Sequence, residues 1–131
     1  MKKTGVLNHR ISEVVAMMGH GDTLAIGDAG LPIPENVERI DLAVVPGLPG
    51  LLEVVRAMST ELQVVAIVLA DEMMQQNREL AANIYDLFPG SELQTVPHES
   101  FKHRLHTARA VIRTGECTPY ANVILISGVT F

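Results

Sequence analysis

The sequence predicts an α/β protein with a mainly parallel central sheet covered by helices on both sides. Two observations carry this reading. Short apolar runs alternate with helical stretches of about 10–16 residues, the spacing of crossover connections between parallel strands. One run, Leu62 to Ala70, is apolar almost throughout, as strands buried on both faces are. The 131 residues are 47 % hydrophobic and 19 % charged, which suits one domain spanning residues 1–131 with a sizeable core rather than a disordered chain.

Taken in order, the elements justify themselves locally. Asn8 can cap a helix whose stripe is Ile11, Val14, Val15 and Met18, with Gly19 placed to end it. Thr23 to Ile26 reads as a strand between Asp22 and Gly27-Asp28, and the Pro-rich segment from Ala29 to Pro34 as a loop. Glu38 to Val45 reads as a second strand, centred on Leu42-Ala43-Val44-Val45 and stopped by Pro46-Gly47. Pro49 opens a helix with the stripe Leu51, Leu52, Val55 and Met58. The buried strand Leu62 to Ala70 follows, and Asp71 caps a helix through about Leu87. Leu93 to Val96 is a weaker strand, His98 to Thr114 a helix, and Asn122 to Ser127 a final strong strand.

Composition narrows the function classes. A formal charge of −5 argues against nucleic acid, whose phosphates call for clustered Lys and Arg; a neutral or cationic small ligand fits better. Cys117 has no partner for an internal disulfide, and no charged segment followed by an apolar core opens the chain. The expected location is the cytoplasm. No apolar run reaches the roughly 18–20 residues of a membrane span, so no membrane partner is expected. A mean hydropathy of +0.23 is high for a small monomer, which must cover itself with polar residues, and implies a homo-oligomer.

Ligands of open α/β sheets collect beyond the carboxyl ends of the strands. This rule selects Gly27-Asp28-Ala29-Gly30, Asp71 and Pro97-His98. The glycine loop lacks both dinucleotide and phosphate-loop patterns, so nucleotide binding is rejected there. Asp28 has two readings, a carboxylate accepting sugar hydroxyls or a turn aspartate satisfying nearby backbone N–H groups. His98 and Lys102 fall on adjoining positions beside the stripe of Phe101, Leu105, Ala108 and Ile112, while His103 points to solvent and His106 and His9 are rim residues.

His20, between Gly19 and Gly21, is either a helix-end residue complementing the dipole or an uncrowded acid titrating near neutrality. Tyr120 and Asn122 either present a ring and an amide to a sugar or pack and end the Thr118-Pro119 turn. His20-Gly-Asp22 and His103-x-x-His106 are the only conceivable metal ligands. Neither belongs to a recognised cluster, so no metal is expected.

Several blocks together resemble a known family. Met1-Lys2-Lys3-x-Gly5 with Leu7-Asn8, Gly19-His20-Gly21-Asp22, Gly27 to Pro34, Pro97-His98, Lys102 and Thr118 to Asn122 closely resemble the D-ribose pyranase family and its fucose mutarotase relatives. The resemblance spans essentially the whole chain. It implies a three-layer α/β/α fold and interconversion of the pyranose and furanose forms of D-ribose without a cofactor. It also implies a ring-shaped homo-oligomer, a decamer of two pentameric rings, with sites between subunits. His20 is implied as proton donor, and Asp28, His98, Tyr120, Asn122 and, in the same neighbourhood, Lys102 as sugar ligands.

Spacing adds one expectation of its own. His20 precedes the first strand and Asp28 follows it, so eight residues could separate them by roughly 20–26 Å. One site could then hold both only if loops fold back or if His20 of one subunit meets Asp28 of another, and the site between subunits is the expectation. The rival readings are a mutarotase exchanging fucose anomers, a non-catalytic ribose-binding accessory and a metal hydrolase.

Overall fold

Asn8 begins the first helix as expected. In the computed structural model, which describes Met1 to Phe131, its side chain accepts the backbone N–H groups of Arg10 and Ile11 at the start of α1 (His9–Met17). These donors have no partner inside the helix, so a short polar acceptor at this position stabilises it by about 1 kcal/mol. The helix closes at Met18 in extended geometry. Gly19 is therefore not its left-handed terminator; that conformation falls to Gly21, at φ 83°, where a side chain would be strained.

The strands are β1 (Thr23–Gly27), β2 (Glu38–Asp41), β3 (Val64–Ala70), β4 (Glu92–Val96), β5 (Ala110–Arg113) and β6 (Val123–Ser127), ordered β2-β5-β1-β6-β3-β4 in one sheet. β1 and β2 both pair parallel with β5, and β3 with β4; β6 alone runs antiparallel, between β1 and β3. Beyond α1, the helices are α2 (Leu51–Ser59), α3 (Asp71–Gln76), α4 (Arg78–Tyr85) and α5 (His98–Arg104).

Alternation along the strands sends side chains to two cores. Leu24, Ile26, Ile67, Leu69, Ile112 and Leu125 face α1, α2 and α4 in the larger one. Ala25, Val68, Val111 and Ile124 face Phe101, Leu105, Leu31 and Val37 in the smaller one. Helices thus cover both faces of the sheet, giving the three-layer α/β/α arrangement.

Three expected elements differ. The predicted helix His98 to Thr114 stops at Arg104, passes through a 3₁₀ turn at Leu105–Thr107 and becomes β5. Ile112, placed on the helical stripe with Phe101 and Leu105, lies on the opposite side of the sheet from them. The predicted helix from Asp71 to Leu87 breaks at Asn77 (φ −137°, ψ 55°), with Ala70 rather than Asp71 preceding its first turn. The second strand is Glu38–Asp41; Val44 and Val45, taken as its centre, lie beyond it and are 72 % and 54 % exposed.

The missing strand has a topological consequence. From the end of β5 the chain has only residues 114–122 before β6, too short for the helical crossover that a parallel strand would need. It crosses the carboxyl end of β1 and returns antiparallel on the far side. This crossing segment builds the site.

Candidate functional site

Gly27 ends β1 at a place where Leu31 of the following loop and Asn122 of the crossing segment leave no room. A Cβ there would overlap Leu31 Cδ2 and lie 2.9 Å from Asn122 Oδ1, so the glycine is favoured by close approach. Next to it, the Asp28 N–H donates to Asn122 Oδ1 at 2.8 Å, and Asn122 Nδ2 donates to Asp28 Oδ2 at 3.0 Å. Asn122 is fully buried. Asp28 Oδ1 accepts the Gly30 N–H at 2.9 Å, so the turn reading of Asp28 describes one oxygen. Both carboxylate oxygens retain a free lone pair for a ligand hydroxyl.

Tyr120 stands two residues before Asn122 with φ 61°, a left-handed conformation that costs energy in a non-glycine residue and clusters at functional sites. Its surroundings hold it there. Asn77 Nδ2 donates to the Pro119 carbonyl at 2.9 Å, and the Ala121 N–H to the Thr118 carbonyl at 3.3 Å. The helix break at Asn77 therefore serves the turn that presents Tyr120.

The Tyr120 ring meets His98 edge-on, with centroids 5.1 Å apart, while His98 lies parallel to Phe101 at 6.2 Å. Glu72 Oε2 accepts the His98 N–H at 2.9 Å and fixes the start of α5. His98 Nδ1 is buried without a hydrogen-bond partner, an uncommon state that leaves it available as a donor or acceptor. Lys102, one turn further, pairs with Glu99 at 2.7 Å and borders a 360 Å³ cavity with Pro32, Ile33, Pro34, His103 and His106.

The Asp28–Asn122 pair and the Tyr120–His98 pair are linked through the chain, where the Asn122 N–H donates to the Tyr120 carbonyl at 2.8 Å, and Lys102 lies one turn along α5 from His98. His20 is elsewhere. It is exposed at the opposite edge, before β1, and borders a 450 Å³ cavity with Met18, Glu61, Ser127 and Phe131. The Gly19 N–H donates to Asp22 Oδ2 at 2.8 Å, closing the turn that carries His20, and Arg109 pairs with Asp22 at 2.9 Å. The Arg109 guanidinium, then the Gly19 N–H, hold the Asp22 carboxyl below its usual range. Five residues of β1 at about 3.3 Å each put roughly 17 Å between the two edges.

The residue reading missed the groups that shape this edge. Arg113 Nε donates to the Ala29 carbonyl at 3.0 Å, and its Nη1 pairs with Asp41 at 3.0 Å. Thr114 Oγ1 donates to the Gly27 carbonyl at 2.8 Å. Both lie in the stretch assigned to a helix, where no signal for a site could be read. Glu116, just beyond it, carried no motif. No group of three or more His, Cys, Asp and Glu side chains has the arrangement of a metal site, and no helix is long and apolar enough to cross a membrane.

The fold is that of a three-layer α/β protein with a mainly parallel sheet, and Asp28, Asn122, Tyr120 and His98 gather polar and aromatic groups toward its carboxyl edge. The chain belongs to the RbsD / FucU transport protein family, whose model matches residues 1–130. It is 54 % identical over 131 residues, all of both chains, to a protein of Symbiobacterium thermophilum described as D-ribose pyranase. The structure of Bacillus subtilis RbsD complexed with D-ribose superposes with a TM-score of 0.96 at 44 % identity, covering all of both chains. The fucose mutarotase of Streptococcus pneumoniae, in complex with L-fucose, shares the fold at a TM-score of 0.74 and 20 % identity over 95 % of each chain.

Proposed function

We propose that the protein is a D-ribose pyranase, interconverting the pyranose and furanose forms of D-ribose by opening and reclosing the ring. The observation that carries this is the Asp28 carboxylate, held by Asn122 beside the Tyr120–His98 ring pair, in a chain that matches the D-ribose complex over its whole length.

The chemistry is a proton exchange. An acid protonates the ring oxygen while a base removes the proton of the anomeric hydroxyl; the C–O bond breaks to give the open-chain aldehyde. A different hydroxyl then adds to the carbonyl, giving its proton to the deprotonated acid while the protonated base returns its proton to the carbonyl oxygen, and the ring closes at the new size. Electrons and atoms balance within the sugar. His20 is the acid, an exposed imidazole of the side-chain type used most often for proton transfer. Asp28 or His98 accepts the proton of the anomeric hydroxyl. Tyr120 covers an apolar face of the sugar, Lys102 reaches a hydroxyl from the next turn of α5, and Asn122 acts by holding Asp28.

The separation of His20 from Asp28 along β1 supports a site shared between two copies of the chain. The amino edge of one would bring His20 to the carboxyl edge of the next. Such a head-to-tail contact uses two different surfaces and closes into a ring, in keeping with a homo-oligomer of two five-membered rings acting in the cytoplasm. Exposed Val44, Val45 and Leu48 near the carboxyl edge and Phe131 near the amino edge support burial between copies.

A mutarotase would open the ring in the same way but reclose it through the original hydroxyl. The greater likeness to the ribose-bound protein favours ribose. NMR saturation transfer between ribopyranose and ribofuranose signals tests the proposal. Exchange accelerated by the protein is expected; acceleration of L-fucose anomers with none for ribose would contradict it.

A further inference from the structure

Glu116 is the most heavily hydrogen-bonded carboxylate in the structure, yet none of its four donors is charged. Oε1 accepts the Cys117 N–H and the Thr118 N–H at 3.1 Å each and the Thr118 hydroxyl at 2.7 Å. Oε2 accepts the Leu51 N–H at 3.2 Å, the free donor at the start of α2. Burial opposes its ionisation, but the donors from Thr118, Leu51 and Cys117 outweigh it and hold the carboxyl below its usual range.

The main chain of the same residue grips both neighbours of Asp28. Its carbonyl accepts the Ala29 N–H at 2.8 Å, and its N–H donates at 3.2 Å to Thr114 Oγ1, which donates to the Gly27 carbonyl. One residue therefore ties the loop of Asp28, the turn leading to Tyr120 and the first turn of α2 into a single arrangement.

We infer that Glu116 is a positioning residue of the sugar site, fixing the distance between the Asp28 carboxylate and the Tyr120 ring. The inference rests on the ribose reading above. A carboxylate is suited to this task because it accepts several short bonds at once, whereas an amide would turn a donor toward either Leu51 or Thr118. His20 lies at the other edge of the sheet, so Glu116 governs sugar binding and leaves the acid untouched.

Glu116→Gln tests this in the full-length protein. The half-saturating ribose concentration in the exchange assay is expected to rise about tenfold, by more than the rate at saturating ribose falls, with amide hydrogen exchange at Ala29 and Thr118 accelerated and that of β3 unchanged. Ribose binding equal to wild type would overturn the inference, as would unaltered exchange at Ala29. If the Gln variant fails to fold, Thr118→Val removes one donor and is read in the same way against the same two outcomes. Wild-type protein that fails to accelerate ribose exchange counts against the ribose reading, and the Ala29 amide then decides the positioning role alone.

Discussion

Asn122 and Asp28 are joined by two reciprocal hydrogen bonds, the amide oxygen accepting from the Asp28 backbone at 2.8 Å and the amide nitrogen donating to its carboxylate at 3.0 Å. The asparagine is fully buried and the aspartate only partly so. The buried partner thus fixes the orientation of the more accessible one, to which the proposed function gives the sugar hydroxyls. Asn122→Ala is expected to cost about 1–3 kcal/mol of stability, the penalty for stranding a buried donor's partner, and to weaken ribose binding by about tenfold or more. Thermal unfolding and ribose titration check both, and retention of full affinity would separate Asn122 from the site.

Gly27→Ala addresses the same pair from the other side. The added methyl group must displace Leu31 or Asn122 Oδ1, so a loss of about 1–3 kcal/mol is expected, as for an overpacked core. Ribose affinity should fall with it. A variant with wild-type affinity and stability would show that the Asp28–Asn122 geometry is tolerant.

Acid should loosen the His20 turn before it touches the core. The Asp22 carboxyl is held below its usual range by Arg109 first and by the Gly19 N–H second. A depressed folded value means that its contribution is complete above the unfolded value near 4 and is lost as pH falls through the folded one. Because Arg109 is 60 % exposed, solvent limits the contribution to about 1 kcal/mol or less. Asp22→Asn should therefore lower the melting temperature slightly at pH 7 and converge on wild type once the pH has fallen below the folded value of the Asp22 carboxyl. A difference that is constant from pH 7 to pH 2 contradicts this origin.

Phe101 is the largest fully buried side chain, at the centre of the smaller core and stacked on His98. Phe101→Ala is expected to cost about 3–5 kcal/mol in urea unfolding. Ribose affinity should drop in the fraction that remains folded, because α5 carries both His98 and Lys102. Undiminished affinity would show that α5 keeps its place without this anchor.

Most of the fold was legible because its signals were local. The Asn8 cap, the unbroken run of β3 and the closing strand β6 each announce themselves within a few residues. β5 did not. Ala110 to Arg113 is short, no Gly or Pro separates it from α5, and Ile112 falls by coincidence on the helical stripe of Phe101 and Leu105. Losing β5 also hid the crossing of residues 114–122 over β1, and with it the reason that Asn122, Glu116 and Asp28 meet. The apolar run at Val44-Val45 misled in the opposite sense, since hydropathy cannot distinguish a strand core from an apolar surface. Of the proposed site, Asp28 and His98 follow from the carboxyl-edge rule, while the residue chemistry of His20 and Tyr120 is ambiguous without the family blocks around them. The opposite placement of His20 and Asp28 followed from spacing alone.

The shared site is the central claim, and a complementation measurement tests it most directly. His20→Ala and Asp28→Asn are each expected to lose ribose exchange by about 10²–10⁴-fold, the contribution of a positioned acid or base. The two variants are then unfolded together, refolded as a mixture and assayed by saturation transfer. In a head-to-tail ring about one quarter of the sites in an equal mixture pair an intact His20 with an intact Asp28, so exchange should return to about one quarter of the wild-type rate. A co-refolded mixture no more active than either variant, with mixed rings verified by mass spectrometry, would place both residues in a site within one chain and contradict the account.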